Sequence, residues 1–260
     1  MGNWFIPSER THRTLFAELL GQSHVCECIV FYIFCLESRM SHTPLHWVNL
    51  GVHIAFGTAA LGLGLVAICS PKGGLLHTRS GRLFLYAYLV VILTAAAGLV
   101  FFDFRSFLAV VTLLSFYDVF AGYRALQLRG ARPEAVDLAA SVGGALAPWV
   151  FLAFLRHAHR PWSPILTWSI LGSLLAISGY DLLRNVLPKE WLKRVWVQEH
   201  LVKMMSAYIA ITSAFAATVF ARYLPWAAIV PTFLGTAVSC GFLFAGPRAW
   251  RRSRRKVQVS

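Results

Sequence analysis

Charge is scarce in this chain. Only 13% of its 260 residues are Asp, Glu, Lys or Arg, against a hydrophobic share of 57%, a balance that excludes an ordinary soluble domain of this length. Cysteine is also scarce. Of the five, Cys26, Cys28 and Cys35 cluster near the start, while Cys69 and Cys240 lie in or beside apolar stretches. No disulfide framework follows, and a C-x-C with no second pair is no structural zinc site. The alternating strands of a membrane barrel are missing. No H-x-x-x-H pair occurs within an apolar stretch, which removes the converging ligands that a membrane zinc hydrolase needs. The last stretch holds no lysine and so offers no anchor for a retinal Schiff base. Ser141 and His200 have no oxyanion partner in the sequence, which weakens intramembrane serine proteolysis.

What the chain does have is seven long apolar stretches after residue 46, roughly 47–69, 83–102, 106–126, 138–155, 164–183, 199–220 and 224–244. A hydrocarbon core of about 30 Å takes about 20 helical residues, and helices satisfy every backbone group within it. The pattern predicts an all-α polytopic protein with seven transmembrane helices. Connections one-two, three-four and five-six and the tail carry sixteen Lys and Arg, whereas the others carry only Arg105, Arg156, Arg160 and Arg222. Positive loops stay in the cytoplasm. The N-terminus therefore lies outside and the C-terminus in the cytoplasm, in a cell inner membrane.

The net charge of +13 is accounted for by that topology, so it is no reason to expect nucleic acid. The tail at 248–260 reads as a stop signal and a patch for anionic inner-leaflet lipid, each charge contributing about 1 kcal/mol. Residues 40–247 form the membrane domain. Residues 1–39 differ: their longest apolar run, Cys28 to Leu36, is too short to span, and no signal-peptide pattern surrounds it. They read as an extension, with Met40 as an alternative start.

Several segments carry candidate chemistry. Lys72-Gly73-Gly74 opens a basic turn that continues through His77, Arg79, Gly81 and Arg82. Glycines free backbone amides for an anion, and with Lys72, Arg79 and Arg82 the turn suits lipid phosphate. The plainer reading is a helical hairpin with topogenic charge. In the sixth span His200, Met204, Tyr208 and Thr212 stand four apart, a polar stripe that should face the bundle interior as a site or as interhelical hydrogen bonds. Asp118 lies about twelve residues, hence about 18 Å, into the third span. Burial there favours the neutral acid, as a proton relay or as a bonded structural group. Pro188 to Trp196 alternates apolar and charged faces as an interfacial helix does, and Asp181 and Arg184 are spaced as an i, i+3 pair.

The residues His53 and Gly57, the turn Lys72-Gly73-Gly74 with His77, Gly81 and Arg82, and His200, Met204, Tyr208-Ile209-Ala210 and Ala214-Phe215 resemble the bacterial membrane proteins grouped as domain-of-unknown-function 2306. The resemblance spans about 45–220, with Thr78 where that family usually has Arg. It implies a membrane protein and brings no reaction with it.

Three functions follow as expectations. The one placed first is redox: His53, His77 and His200, with Met204 and Tyr208 nearby, as ligands and neighbours of a haem b, with a quinone or other small apolar ligand as partner. Depth constrains it, because His53 and His200 differ by about 20 Å along the membrane normal. The second is transport or lipid binding, with Asp118 and the Tyr208 stripe lining a polar path. The third is an enzyme on a lipid or isoprenoid substrate, with Asp118, His200 or Tyr208 as acid or base.

Overall fold

In a computed structural model that describes residues 44–102, 104, 106–157, 164–223 and 226–257, the chain folds into α-helices: α1 (Pro44–Cys69), α2 (Leu75–Phe101), α3 (Ser106–Leu128), α4 (Ala135–His157), α5 (Pro164–Leu183), α6 (Lys189–Val219) and α7 (Trp226–Val257), with a 3-10 turn at Ala221–Tyr223. No strand occurs among the described residues. The extension at 1–39, the proposed start at Met40, and Arg105, His159, Arg160 and Trp162 lie outside them.

Five helices, α1, α2, α3, α4 and α6, are long and apolar enough to cross a membrane. Their outward faces are apolar as well: Leu65, Leu93 and Val150 are all more than half exposed. A surface of this kind suits hydrocarbon rather than water, and it marks an integral membrane protein.

Helices α1–α2, α4–α5 and α6–α7 pack as sequential pairs, and α3 and α6 lie together at the centre. The α3–α4 turn meets the start of α6: a Cβ on Gly130 would stand 2.6 Å from Lys193 Cα. The α1–α2 turn meets the middle of α7, with Lys72 Nζ 4.6 Å from the centre of the Phe242 ring. These turns define a basic end. At the other end Asn49 Nδ2 donates to Thr94 O at 3.1 Å and the rings of His46 and Phe102 meet edge to face. Close approach depends on small residues. Cβ atoms at Gly64, Gly122 and Gly144 would strike Tyr208, Met204 and Tyr117 respectively.

Two elements differ from the sequence expectation. Helix α2 begins at Leu75, so His77, Arg79, Gly81 and Arg82 stand on its first turns rather than in a loop. Only 70–74 turn the chain, with Gly73 at φ +79°. The segment after Pro188 is no separate interfacial helix. It runs unbroken into α6, because no Gly or Pro interrupts 189–219, and Leu192 is fully buried where the Gly130 turn closes over it.

Candidate functional site

Helices α3, α5 and α6 converge on a group of buried ionisable side chains. Asp118 is 0% exposed, Asp181 8%, Arg184 3%, Glu199 6% and Lys203 3%. Helical geometry gathers them. Glu199, Lys203 and Ser206 recur at i, i+4 and i+7 on one face of α6, and Asp181 and Arg184 occupy successive turns near the end of α5. Gly144 and Ser178 leave room for the Tyr117 ring, whose hydroxyl then reaches the cluster.

The bonds join three helices. Lys203 Nζ donates to Asp181 Oδ1 at 2.5 Å, and Tyr117 Oη donates to Asp181 Oδ2 at 2.9 Å. Tyr180 Oη donates to Glu199 Oε1 at 2.5 Å, and Ser206 Oγ donates to Asp118 Oδ2 at 2.6 Å. Arg184 is held less closely. Its Nη1 is 3.9 Å from Asp181 Oδ1, and its Nε is 3.3 Å from Glu199 Oε1 without the alignment of a hydrogen bond. Four buried atoms have no hydrogen-bond partner among the described residues: Asp118 Oδ1, Glu199 Oε2, and Nε and Nη2 of Arg184. Buried polar atoms left this way are uncommon and costly.

A narrow cleft with room for little more than a water molecule reaches Asp181, Arg184 and Lys203 past Phe120, Arg124, Pro133 and Asp137. At the mouth Arg124 donates to both oxygens of Asp137, at 2.6 and 2.7 Å, and to Glu134 Oε2 at 2.7 Å. That fork binds α3 to α4 at the basic end. Its donors are spent, so it does not compete for whatever enters.

Charge balance decides what the cluster can do. Three acids face two bases, and a low-dielectric interior does not hold the extra negative charge cheaply. Asp118 has only a serine hydroxyl as donor, so it is the acid least supported as an anion. The other four charges, Asp181, Glu199, Arg184 and Lys203, balance as two acids and two bases.

The residues singled out from sequence fall in three places. Asp118 is in the cluster. The α6 stripe faces its neighbours instead: His200 Nδ1 donates to Gly122 O at 2.9 Å, Met204 packs against Gly122, and Tyr208 Oη donates to Leu61 O at 3.1 Å. Thr212 bonds its own helix at Tyr208 O. At the basic turn Lys72 Nζ donates to Ile68 O at 2.5 Å and Ala67 O at 3.3 Å, and His77 Nδ1 donates to Ala67 O at 2.9 Å. Lys72 thus caps α1, and its partial burial lowers its pKa. Arg79 and Arg82 are exposed, whereas Gly73 and Gly74 only shape the turn. His53 stands at the opposite end, bonded to Thr94 Oγ1 at 2.9 Å.

Sequence reading missed Arg184, Glu199 and Lys203 as one site with Asp118 and Asp181. A signal existed. After position 44 only Arg124 and Lys203 fall inside predicted spans, and intramembrane charge normally has a partner. Among the described residues no group of three or more His, Cys, Asp or Glu is placed to hold a metal ion. Compared with protein-family models, curated proteins and solved structures, the chain matches none of them.

Proposed function

We propose that the chain spans an inner membrane seven times, basic end in the cytoplasm, and transports a solute together with protons. One observation carries this reading: five ionisable side chains, all more than nine-tenths buried, stand together, and three of them, Asp181, Arg184 and Lys203, line a narrow cleft near the basic end. A purely structural network would be expected to satisfy its members. This one leaves two acid oxygens and a guanidinium edge unbonded. Asp118 carries the proton in this scheme, and Lys203 with Asp181 keeps the neighbouring charge fixed.

The reading is tested in proteoliposomes holding a pH-sensitive dye, challenged in turn with sugars, amines, amino acids and carboxylates. Solute-dependent proton entry that Asp118→Asn abolishes is the expected result. Proton entry from no solute class, or an unchanged response in Asp118→Asn, sinks it.

A second reading, electron transfer, is favoured by the tautomers of two histidines. In His77 and His200 the Nδ1 proton is donated to a backbone carbonyl, which leaves each Nε2 as a neutral ligand, the arrangement metal-binding imidazoles usually have. The pair would supply the two axial imidazoles of a haem b, which when bound would supply one-electron chemistry. His53 does not join it. Its partner Thr94 stands seventeen residues beyond His77 on α2, about 25 Å along the axis. Purified protein without a haem absorbance band ends this reading. The same proposals include membership of the domain-of-unknown-function 2306 family.

A further inference from the structure

We infer that the junction between the α3–α4 turn and the start of α6 binds one anionic phospholipid with two phosphates in its headgroup. The site lies outside the buried cluster and does not depend on what the chain transports.

Packing creates it. Burial of Leu192, 0% exposed, presses the α3–α4 turn onto α6, so that a Cβ on Gly130 would stand 2.6 Å from Lys193 Cα and 2.9 Å from Leu192 C. Consecutive Cα atoms are about 3.8 Å apart, which holds the Cα of Arg129 within about 8 Å of that of Lys193. Arg132 follows in the same turn. Lys189 stands one helical turn before Lys193 on the same face of α6, and Arg194 comes next in the helix. Five cations from two segments thus share one small area, and all five are exposed.

Little offsets them. Among the described residues none of the five makes an ion pair or a side-chain hydrogen bond. Glu190 is the one acid in 129–132 and 189–194, and the adjacent Glu134 and Asp137 are occupied by Arg124. Basic connections are ordinary at a cytoplasmic face, but that rule asks only for positive charge, not for two basic connections pressed together. Like charges gathered this way repel one another. Arg129 moreover has φ +47°, a left-handed conformation that few residues other than glycine adopt. An anion bridging the turn and the helix offsets the repulsion that their contact creates.

The surroundings select a lipid over a soluble anion. Lys193 stands ten residues, about 15 Å along α6, before the buried Lys203, which places the patch where hydrocarbon gives way to headgroups. Trp191 is 40% exposed between Lys189 and Lys193, and Val186 is 79% exposed just before them. Leu126 adds an exposed apolar side chain one turn before Gly130. Acyl chains cover such surfaces while phosphates meet the cations, a division of contacts that a water-soluble anion does not make. Two phosphates match the two sets of cations, Arg129 with Arg132 and Lys189 with Lys193 and Arg194, and basic pockets between membrane helices suit headgroups of that kind.

Native mass spectrometry of the detergent-purified protein, titrated with cardiolipin, tests the site. One cardiolipin should be retained, at least tenfold more tightly than phosphatidylglycerol. Arg129→Gln with Arg132→Gln and Lys193→Gln should lower its affinity about a hundredfold. These exposed substitutions should leave circular dichroism and the lipid-free unfolding midpoint unchanged, while cardiolipin should raise the midpoint of wild type alone. Arg79→Gln with Arg82→Gln, which removes charge elsewhere at the basic end, should change cardiolipin affinity less than threefold. Undiminished binding in the triple variant overturns the inference, as does equal weakening in the Arg79–Arg82 variant. Two comparisons on wild type decide even where a variant unfolds: phosphatidylglycerol bound as tightly as cardiolipin removes the two-phosphate site, and displacement of the lipid by an equal concentration of inorganic pyrophosphate makes it the site of a soluble anion.

Discussion

Lys203 Nζ and Asp181 Oδ1 meet at 2.5 Å inside the helix bundle, both at least nine-tenths buried. Removing either partner alone leaves the other charge stranded. Lys203→Met and Asp181→Asn should each cost about 3–5 kcal/mol, seen as a lowered midpoint of thermal unfolding in detergent. The double variant should recover much of that loss. If the two single losses simply add, the pair is not coupled as its geometry indicates.

Two glycines with positive φ should respond unequally to alanine. Gly73 (φ +79°) has open space around it, so Gly73→Ala should cost only backbone strain, about 1 kcal/mol. Gly130 (φ +84°) has the backbone of Leu192 and Lys193 within 2.6–2.9 Å of the added methyl, and backbone does not move aside as a flexible side chain does. Gly130→Ala should lower the unfolding midpoint well beyond Gly73→Ala.

Gly144→Ala should disturb the cluster from a distance. The new Cβ would stand 2.8 Å from Tyr117 Cε2 and 3.0 Å from Ser178 Cβ, pushing away the ring whose hydroxyl supports Asp181. Tyr117→Phe removes the same bond without moving the ring, at about 1 kcal/mol. Solute-driven proton entry should therefore fall more in Gly144→Ala than in Tyr117→Phe, with both still folded by circular dichroism.

The basic turn separates two roles. Lys72 is committed to carbonyls at the end of α1, whereas Arg79 and Arg82 are exposed. Arg79→Gln with Arg82→Gln should weaken binding of phosphatidylglycerol to the detergent-purified protein, by about 1 kcal/mol per charge. Lys72→Met should leave that lipid binding nearly unchanged and instead cost about 0.5–1.5 kcal/mol of stability through the lost cap.

Helices were the legible part of this sequence, since long apolar runs have few other stable forms in a membrane. The buried state of Asp118 was legible too, because an acid so far from a span end has no route to water. Glu199 and Arg184 were not. A charge at the edge of a span looks the same whether it turns to headgroups or inward, and only the packing of α3 between α5 and α6 decides. The start of α2 was misplaced for a similar reason: Arg79 and Arg82 are polar but helix-compatible, so hydropathy ended the span before the backbone ended the helix. Rarity was the better guide. Of the seven acids after position 44, Asp118, Glu134, Asp137, Asp181 and Glu199 all lie in the cluster or at its mouth.

The order in which these partners leave the ribosome matters for assembly. Asp118 and Asp181 are synthesised before Lys203, and each acid can wait in lipid as a neutral group by keeping a proton. A lysine has a costlier wait, because its neutral form must surrender a proton against a strong preference at cellular pH. With Asp181 already in place twenty-two residues earlier, α6 enters beside a ready counter-charge, so α5 acts as an intramolecular escort for the helix that follows it.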